Sequence, residues 1–274
     1  MPELPEVETI KNTLTPLICG DTIIKAHILR SDVIKYPDAS TFAKNIEGKK
    51  IASLGRRGKY LLFLWEQGGQ MVVHLRMTGR MLYSQPNDPL LKHTHVIFDL
   101  ASGAQLRFSD TRRFGCLWLL EPDEEDCYTG MSKLGPEPLG SDFSALHLKR
   151  VLGKRKVNIK QGLLDQRMVA GLGNIYVDES LFAAAIAPTR FASSLTDEEW
   201  KNLTAAIVCV LQDSITHNGT TFSDYVDGRG QKGENMSYLK AYKREGQPCL
   251  RCGSPLQRIK IAGRSSFFCP ECQR

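Results

Sequence analysis

Cys249, Cys252, Cys269 and Cys272, spaced C-x2-C-x16-C-x2-C, are the feature that most limits what this chain can fold into. Two such knuckles can set four thiolates tetrahedrally around Zn2+, and the segment that carries them is too short to bury a core of its own. A structural zinc ion contributes about 10–16 kcal/mol to a module of this kind. Electron-transferring iron and a pair of disulfides are the competing uses of four cysteines; one structural Zn2+ is the expectation. Between the knuckles, Leu256–Ile261 and Ser265–Phe268 read as two strands joined at Gly263-Arg264, which puts Arg264 near a hairpin tip and away from the metal. Cys19, Cys116, Cys127 and Cys209 are scattered and read as reduced thiols.

With 274 residues, 42% hydrophobic and 24% charged, the chain is long enough for two domains besides that module. It has no run of the ~18 apolar residues that a membrane span needs and no basic-then-apolar leader, so a cytoplasmic protein with no membrane partner is expected. The net charge of +6 is unevenly spread. Residues 149–170 carry seven Lys or Arg against Asp165 alone, and residues 228–274 carry ten against three Glu, leaving the remainder net acidic. Solvated helix faces produce such runs, but so does a polyanion partner, most simply nucleic acid.

At the other end, Pro2 becomes a secondary amine once Met1 is removed, with Glu3 beside it. An α-amino group has a pKa of roughly 7.7–8.0 against about 10.4 for lysine, so it is far more often a nucleophile at neutral pH. Condensed with an aldehyde-like carbon, it yields a cationic iminium. Pro5 suits a first helical turn, Val7, Ile10 and Leu14 share one face, and Gly20 is a plausible terminator. The helix dipole would lower the amine pKa, and Glu3 and Glu6 would raise it. The plainer reading is that this segment is simply a good helix start.

Thr22–Leu29, Lys59–Trp65, Met71–Leu75, His95–Asp99, Gln105–Ser109 and Cys116–Leu120 then read as strands, which suggests an antiparallel sandwich. Gly135-Pro136-Glu137-Pro138 breaks both periodicities and marks a boundary. Beyond it Thr196-Asp197-Glu198-Glu199 is a capping box before the helical spacing of Trp200, Leu203, Ile207 and Leu211, and Asn218-Gly219 can close that helix. Residues 219–237, rich in glycine, read as a long mobile loop. Ala170-Gly171-Leu172-Gly173-Asn174 reads as a glycine turn opening a helix, able to hold a phosphate; Asn174 either bonds it or caps the helix. On residue type alone Met77 and Phe114 would be core, and Arg56-Arg57-Gly58-Lys59 an exposed basic turn. On a DNA-binding surface, however, an apolar wedge and an arginine are the tools for filling a gap in the base stack.

Pro2-Glu3-Leu4-Pro5-Glu6, Arg57-Gly58-Lys59, His74-Leu75-Arg76-Met77, Arg112-Arg113-Phe114-Gly115, Leu134-Gly135-Pro136-Glu137-Pro138-Leu139, Gly173-Asn174-Ile175-Tyr176 and the cysteine knuckles, in that order, resemble the bacterial formamidopyrimidine-DNA glycosylases, which act on 8-oxoguanine. The resemblance implies an α+β chain: an N-terminal antiparallel β-sandwich with a leading helix (1–134), a linker (135–148), a helical domain with a helix-two-turn-helix motif and a glycine-rich lesion-capping loop (149–237), and a β-hairpin zinc finger (238–274). It implies a monomer acting on double-stranded damaged DNA. Pro2 would attack C1′ of the damaged nucleotide, Glu3 would move protons, and Lys59 and Arg264 would serve the eliminations that cut the strand on both sides. Met77, Arg112 and Phe114 match the residues that fill the void. Lys160, Asn174 and Arg264 match phosphate contacts, and His93, Arg112 and Arg155 fall at further DNA-binding positions.

The chain departs from the family pattern at Asn235, where an aromatic residue is expected, at Lys243, where glycine is usual after Tyr242, and at Ser265-Ser266, where Gly-Thr is common. Two other functions compete. An endonuclease VIII-type enzyme would share the amino-terminal nucleophile and the zinc module but prefer oxidised pyrimidines, and a catalytically silent DNA-binding protein would use only the finger and the helical motif.

Overall fold

Leu61, Phe63 and Trp65 alternate with less buried neighbours along one strand, the period that forces one face of a sheet inward. The computed structural model describes residues 1–274, and the chain divides into two units, residues 1–132 with 217–236 and residues 133–216 with 237–274.

The first unit opens with helix α1 (Leu4–Ile18), followed by β1 (Ile23–Ile28), β2 (Ile34–Tyr36), α2 (Ala39–Ile46), β3 (Ile51–Arg57), β4 (Tyr60–Trp65), β5 (Gln70–His74), β6 (Gly79–Ser84), β7 (Thr94–Leu100), β8 (Gln105–Asp110) and β9 (Cys116–Leu120). The strands form a four-stranded sheet, β1-β7-β8-β6, and a five-stranded sheet, β2-β9-β5-β4-β3. All pairings are antiparallel except β2 with β9. Val7, Ile10, Leu14 and Ile18 of α1 join Phe63, Val73, Phe98, Phe108 and Leu117 in one core. Val72, Trp118 and Leu120 point to the other face of the five-stranded sheet, against Tyr36, Tyr60 and Leu62. This is the expected sandwich with its leading helix. β3, β6, the three-residue β2 and the helix α2, which Asp38 caps by accepting the Ser40 and Thr41 amides, are elements that the sequence pattern does not announce.

The glycine-rich segment is hydrogen-bonded along its length, and residues 217–236 group with the sandwich in the first unit. The cause is a set of hydrogen bonds to α1 and its neighbours. Thr220 N–H donates to Glu6 Oε1 at 2.8 Å, Gly228 N–H to Thr13 Oγ1 at 3.0 Å, and Tyr83 N–H to the Gly228 carbonyl at 2.9 Å. Asn235 is buried and its Nδ2 donates to Thr220 Oγ1 at 2.8 Å, a bond that a phenyl ring could not make.

The second unit holds α3 (Ala145–Leu152), α4 (Ile159–Leu164), α5 (Asn174–Ala183), α6 (Asp197–Thr216) and the hairpin β10 (Gln257–Ile261) with β11 (Arg264–Phe268). Trp200, Leu203, Ile207 and Leu211 are the buried face of α6. Its capping box is reciprocal: Thr196 N–H donates to Glu199 Oε2 and Glu199 N–H to Thr196 Oγ1. Asn218 and Gly219, at φ 58° and 76°, stop further winding after the helix. No helix is long and apolar enough to cross a membrane.

Candidate functional site

Pro2 is buried, and Glu3, 3% exposed, is the N-cap of α1. Glu3 N–H donates to Glu6 Oε2 at 2.8 Å and the Glu3 side chain takes the N–H of Glu6, a reciprocal box that fixes the first turn of a 15-residue helix. Pro2 therefore stands at the positive end of that helix's dipole. In the chain as encoded its nitrogen is still acylated by Met1.

Lys59 lies in the tight β3–β4 turn, where Gly58 adopts φ 55° and Arg57 pairs with Tyr60. Arg56 fastens this turn by donating to Glu8 Oε2 at 2.7 Å and to the Gly58 carbonyl at 3.0 Å. Against the expectation of an exposed basic turn, Lys59 is buried. It is close enough to His74 to matter electrostatically. Burial first, then the positive Arg76 and Lys59, push the His74 pKa down to about 3, so this imidazole is neutral. His74 Nδ1 accepts the Arg76 N–H at 3.0 Å, which leaves the ring proton on Nε2.

Met77 and Phe114 are not core: they are 39% and 51% exposed. The Arg112 guanidinium lies 4.7 Å from the centre of the Phe114 ring. Met1, Lys35, Arg76, Met77, Arg113 and Phe114 line one cleft of about 500 Å3, with three cations and no acid among them. Arg76 and Arg113 both hold a left-handed backbone, φ 55° and 59°, so the chain turns sharply on either side of the apolar pair. Behind the cleft, buried Asp110 takes hydrogen bonds from both loops. His93, partly exposed, accepts the Asp110 N–H through its carbonyl at 2.9 Å.

In the second unit Arg264 is exposed as the first residue of β11, opposite Ile261. Asn174 begins α5 and its Nδ2 donates to the Ser265 carbonyl at 2.9 Å, while its Oδ1 is buried without a hydrogen-bond partner. Arg155 is exposed, 3.8 Å from Asp165. Lys160, expected at a phosphate contact, is the most enclosed cation of the expected set. Its side chain is 0% exposed, and Nζ donates to Asp178 Oδ1 at 2.7 Å and to the Ser265 carbonyl at 2.8 Å. A cation held in this way braces the hairpin. The glycine turn is likewise less open than expected, because the Gly171 N–H is taken by Gln166 Oε1 at 2.9 Å.

Three acids went unassigned in the sequence. Asp110 closes β8, and Asp178 and Glu179 interrupt an otherwise apolar run in α5, a signal of carboxylates kept inside for a purpose. Glu179 accepts the N–H groups of Lys240, Ala241 and Tyr242 at 2.7–2.9 Å. Burial pushes both carboxyls up, Asp178 to about 7, against the pull of Lys160 on Asp178 and of those amides on Glu179. Lys243, in place of the usual glycine, holds φ 59°.

The four cysteine sulfurs all lie within 4.8 Å of one another, with Cys249–Cys272 at 3.9 Å and Cys252–Cys269 at 3.5 Å. A tetrahedron of Zn–S bonds of about 2.3 Å has edges of about 3.8 Å, so the cradle fits zinc. The Arg251 and Cys272 amides point at Cys249 and Cys269 sulfurs, each at 3.4 Å, which favours thiolates.

Comparison with known proteins covers the whole chain. Residues 1–117 match the formamidopyrimidine-DNA glycosylase N-terminal domain, residues 134–226 the H2TH domain of the same enzymes, and residues 246–274 a zinc finger found in FPG and IleRS. A formamidopyrimidine-DNA glycosylase of Desulforamulus reducens is 50% identical over 275 residues, covering 100% of this chain and 99% of the relative. That of Moorella thermoacetica is 51% identical, covering 95% of each. Among solved structures, a Lactococcus lactis FPG variant in complex with a Fapy-dG containing DNA superposes with a TM-score of 0.90 at 35% identity, and MutM with carbocyclic 8-oxo-G containing DNA with 0.91 at 36%, each covering 100% of both chains.

Proposed function

The chain belongs to the formamidopyrimidine-DNA glycosylase family, and from that premise we propose how its own residues excise an oxidised purine such as 8-oxoguanine or a formamidopyrimidine and then cut the strand. The carrying observation is that Met1, the neighbour of Pro2, lines the same cation-rich cleft as the exposed Met77 and Phe114. A nucleotide turned out of the duplex beside that wedge would bring C1′ to the amino terminus.

Once Met1 is removed, the Pro2 nitrogen lone pair forms a bond to C1′ and the glycosidic electrons leave with the base, which takes up a proton. Glu3, held at the N-cap, hands protons to and from the opening sugar. The resulting iminium makes the C2′ proton acidic; its loss expels the 3′ phosphate, and a second elimination expels the 5′ phosphate. Lys59 and Arg264 serve these eliminations. Met77, Arg112 and Phe114 fill the vacated stack, and His93, Asn174 and Arg155 hold the backbone. Flipping costs a few kcal/mol, less at a damaged pair, so selection begins before chemistry. Cys249, Cys252, Cys269 and Cys272 would hold one Zn2+, which supplies structure to the finger and no step of the reaction. The protein works as a monomer on double-stranded DNA in the cytoplasm, at the nucleoid.

The test is borohydride trapping of the purified full-length protein on duplexes holding 8-oxoguanine opposite cytosine, thymine glycol, or an abasic site. A covalent adduct that forms best with 8-oxoguanine, nearly vanishes in Pro2→Gly, and forms on the abasic duplex but not the 8-oxoguanine duplex in Glu3→Gln is expected. Preference for thymine glycol would overturn the purine assignment, and no adduct on any duplex would leave only a DNA-binding protein.

A further inference from the structure

Asp110 is 1% exposed, yet its carboxylate is bonded to Arg112 and to the chain neighbours of Met77 and Phe114. Its Oδ1 accepts the Thr78 hydroxyl, one residue beyond Met77, and the Arg112 N–H at 3.1 Å. Its Oδ2 accepts the Gly115 N–H at 2.7 Å, one residue beyond Phe114. The Arg112 N–H is shared with Thr78 Oγ1, also at 3.1 Å, so the two loops are bonded to each other as well as to the carboxylate. The main chain of Asp110 extends the node. Its N–H donates to the His93 carbonyl at 2.9 Å, and its own carbonyl receives His95 Nε2 at 2.7 Å.

Geometry leaves little freedom around this node. A Cβ at Gly115 would come within 2.6 Å of the Phe108 ring and 3.1 Å of Asp110 Oδ2, so the amide can approach the carboxylate only because residue 115 is glycine. Arg76 and Arg113 occupy left-handed backbone, a conformation that non-glycine residues hold only when their surroundings over-determine it. Two loops that each cross between the sheets, β5–β6 and β8–β9, thus present Met77 and Phe114 in one orientation, although neither side chain is packed into a core.

We infer that Asp110 is a positioning residue for base eversion: one buried carboxylate sets the Met77 loop and the Arg112–Phe114 loop in register, so that both side chains enter the duplex together. This rests on the wedge role given to those residues above. Hydrogen bonds to a charged group are the stronger kind, and loss of two or three of them would let the loops move independently. Insertion would suffer, whereas attack on a sugar that has already lost its base would not.

The experiment therefore compares two substrates. Single-turnover excision from an 8-oxoguanine duplex, with 2-aminopurine beside the lesion to report insertion, is set against borohydride trapping on a preformed abasic-site duplex. Asp110→Ala should slow excision and delay the 2-aminopurine signal about tenfold or more, leaving trapping within about twofold of wild type. Thr78→Val keeps the carboxylate and cuts only its link to the Met77 loop; it should show the same split more weakly, and it carries the test if Asp110→Ala does not fold. Wild-type excision in Thr78→Val and in any folded Asp110 variant would overturn the inference, as would equal losses on both substrates. Met77→Ala and Phe114→Ala are the arms for the underlying reading: if neither slows excision, the wedge role falls; if they do and the Asp110 and Thr78 variants do not, only the inference falls.

Discussion

The sandwich seals Phe42, Phe63, Phe98 and Phe108 completely among α1, α2 and two sheets, while the hairpin β10–β11 offers Leu256, Ile261 and Phe267 and leaves most of its other side chains in water. One region is held by many interchangeable apolar contacts, the other by four sulfurs and a few side-chain bonds to α5. A large core distributes its stability, so any one side chain can be lost at bounded cost. A cross-linked module concentrates it, so a single ligand is decisive.

Breaking the metal site should have the largest effect. Cys252→Ser, or chelation, removes a contribution on the order of 10 kcal/mol and unfolds the finger, abolishing DNA binding while the sandwich still melts cooperatively; zinc content, DNA affinity and calorimetry check it, and normal binding without zinc would erase the contrast. Next, Phe63→Ala in the sandwich should cost about 3–5 kcal/mol and leave a folded, zinc-loaded protein, measured by urea unfolding. Lys160→Met should cost a comparable ~3–5 kcal/mol by stranding Asp178, and adding Asp178→Leu should recover much of it, because a buried ion pair is replaceable by apolar volume. Failure of that rescue would mean that the Ser265 and Phe267 backbone bonds, not the pair, brace the hairpin.

A pH dependence is negligible near neutrality and grows only in acid. His74 titrates near 6.5 when unfolded and near 3 when folded, so between those values the unfolded chain binds more protons and stability falls as pH falls. The slope is at most about 1.4 kcal/mol per pH unit. His74→Gln should flatten the acid limb of the sandwich's unfolding curve from about pH 6.5 downward. Acid release of zinc should persist in that variant, since it depends on thiolates in the other region.

How much of this was legible depended on whether a residue's neighbours were local. The face of α1, the Thr196–Glu199 box, strands β4, β5, β7, β8 and β9, and the cysteine spacing are all written in periods of two to four residues or in short motifs. β3, interrupted by Gly55 and ending in Arg56-Arg57, and β2, only three residues long, carry no such period. The candidate site divides in the same way. Pro2, Glu3 and the cysteines can be picked out as candidates by type and spacing. The inward turn of Lys160 is decided by Asp178, eighteen residues along, and by Ser265, more than a hundred away. Asp110 carries no such local signal, because Thr78, which makes it a node, lies 32 residues away in the crossing from β5 to β6.

Glu6 receives the amide of Glu3 and the amide of Thr220, 214 positions later. During synthesis, then, the first turn of the molecule waits for nearly four-fifths of the polypeptide to leave the ribosome before its last stitch is made. A product ending before that point would keep the Glu3–Glu6 bond but lack the one that ties this turn to the glycine-rich segment.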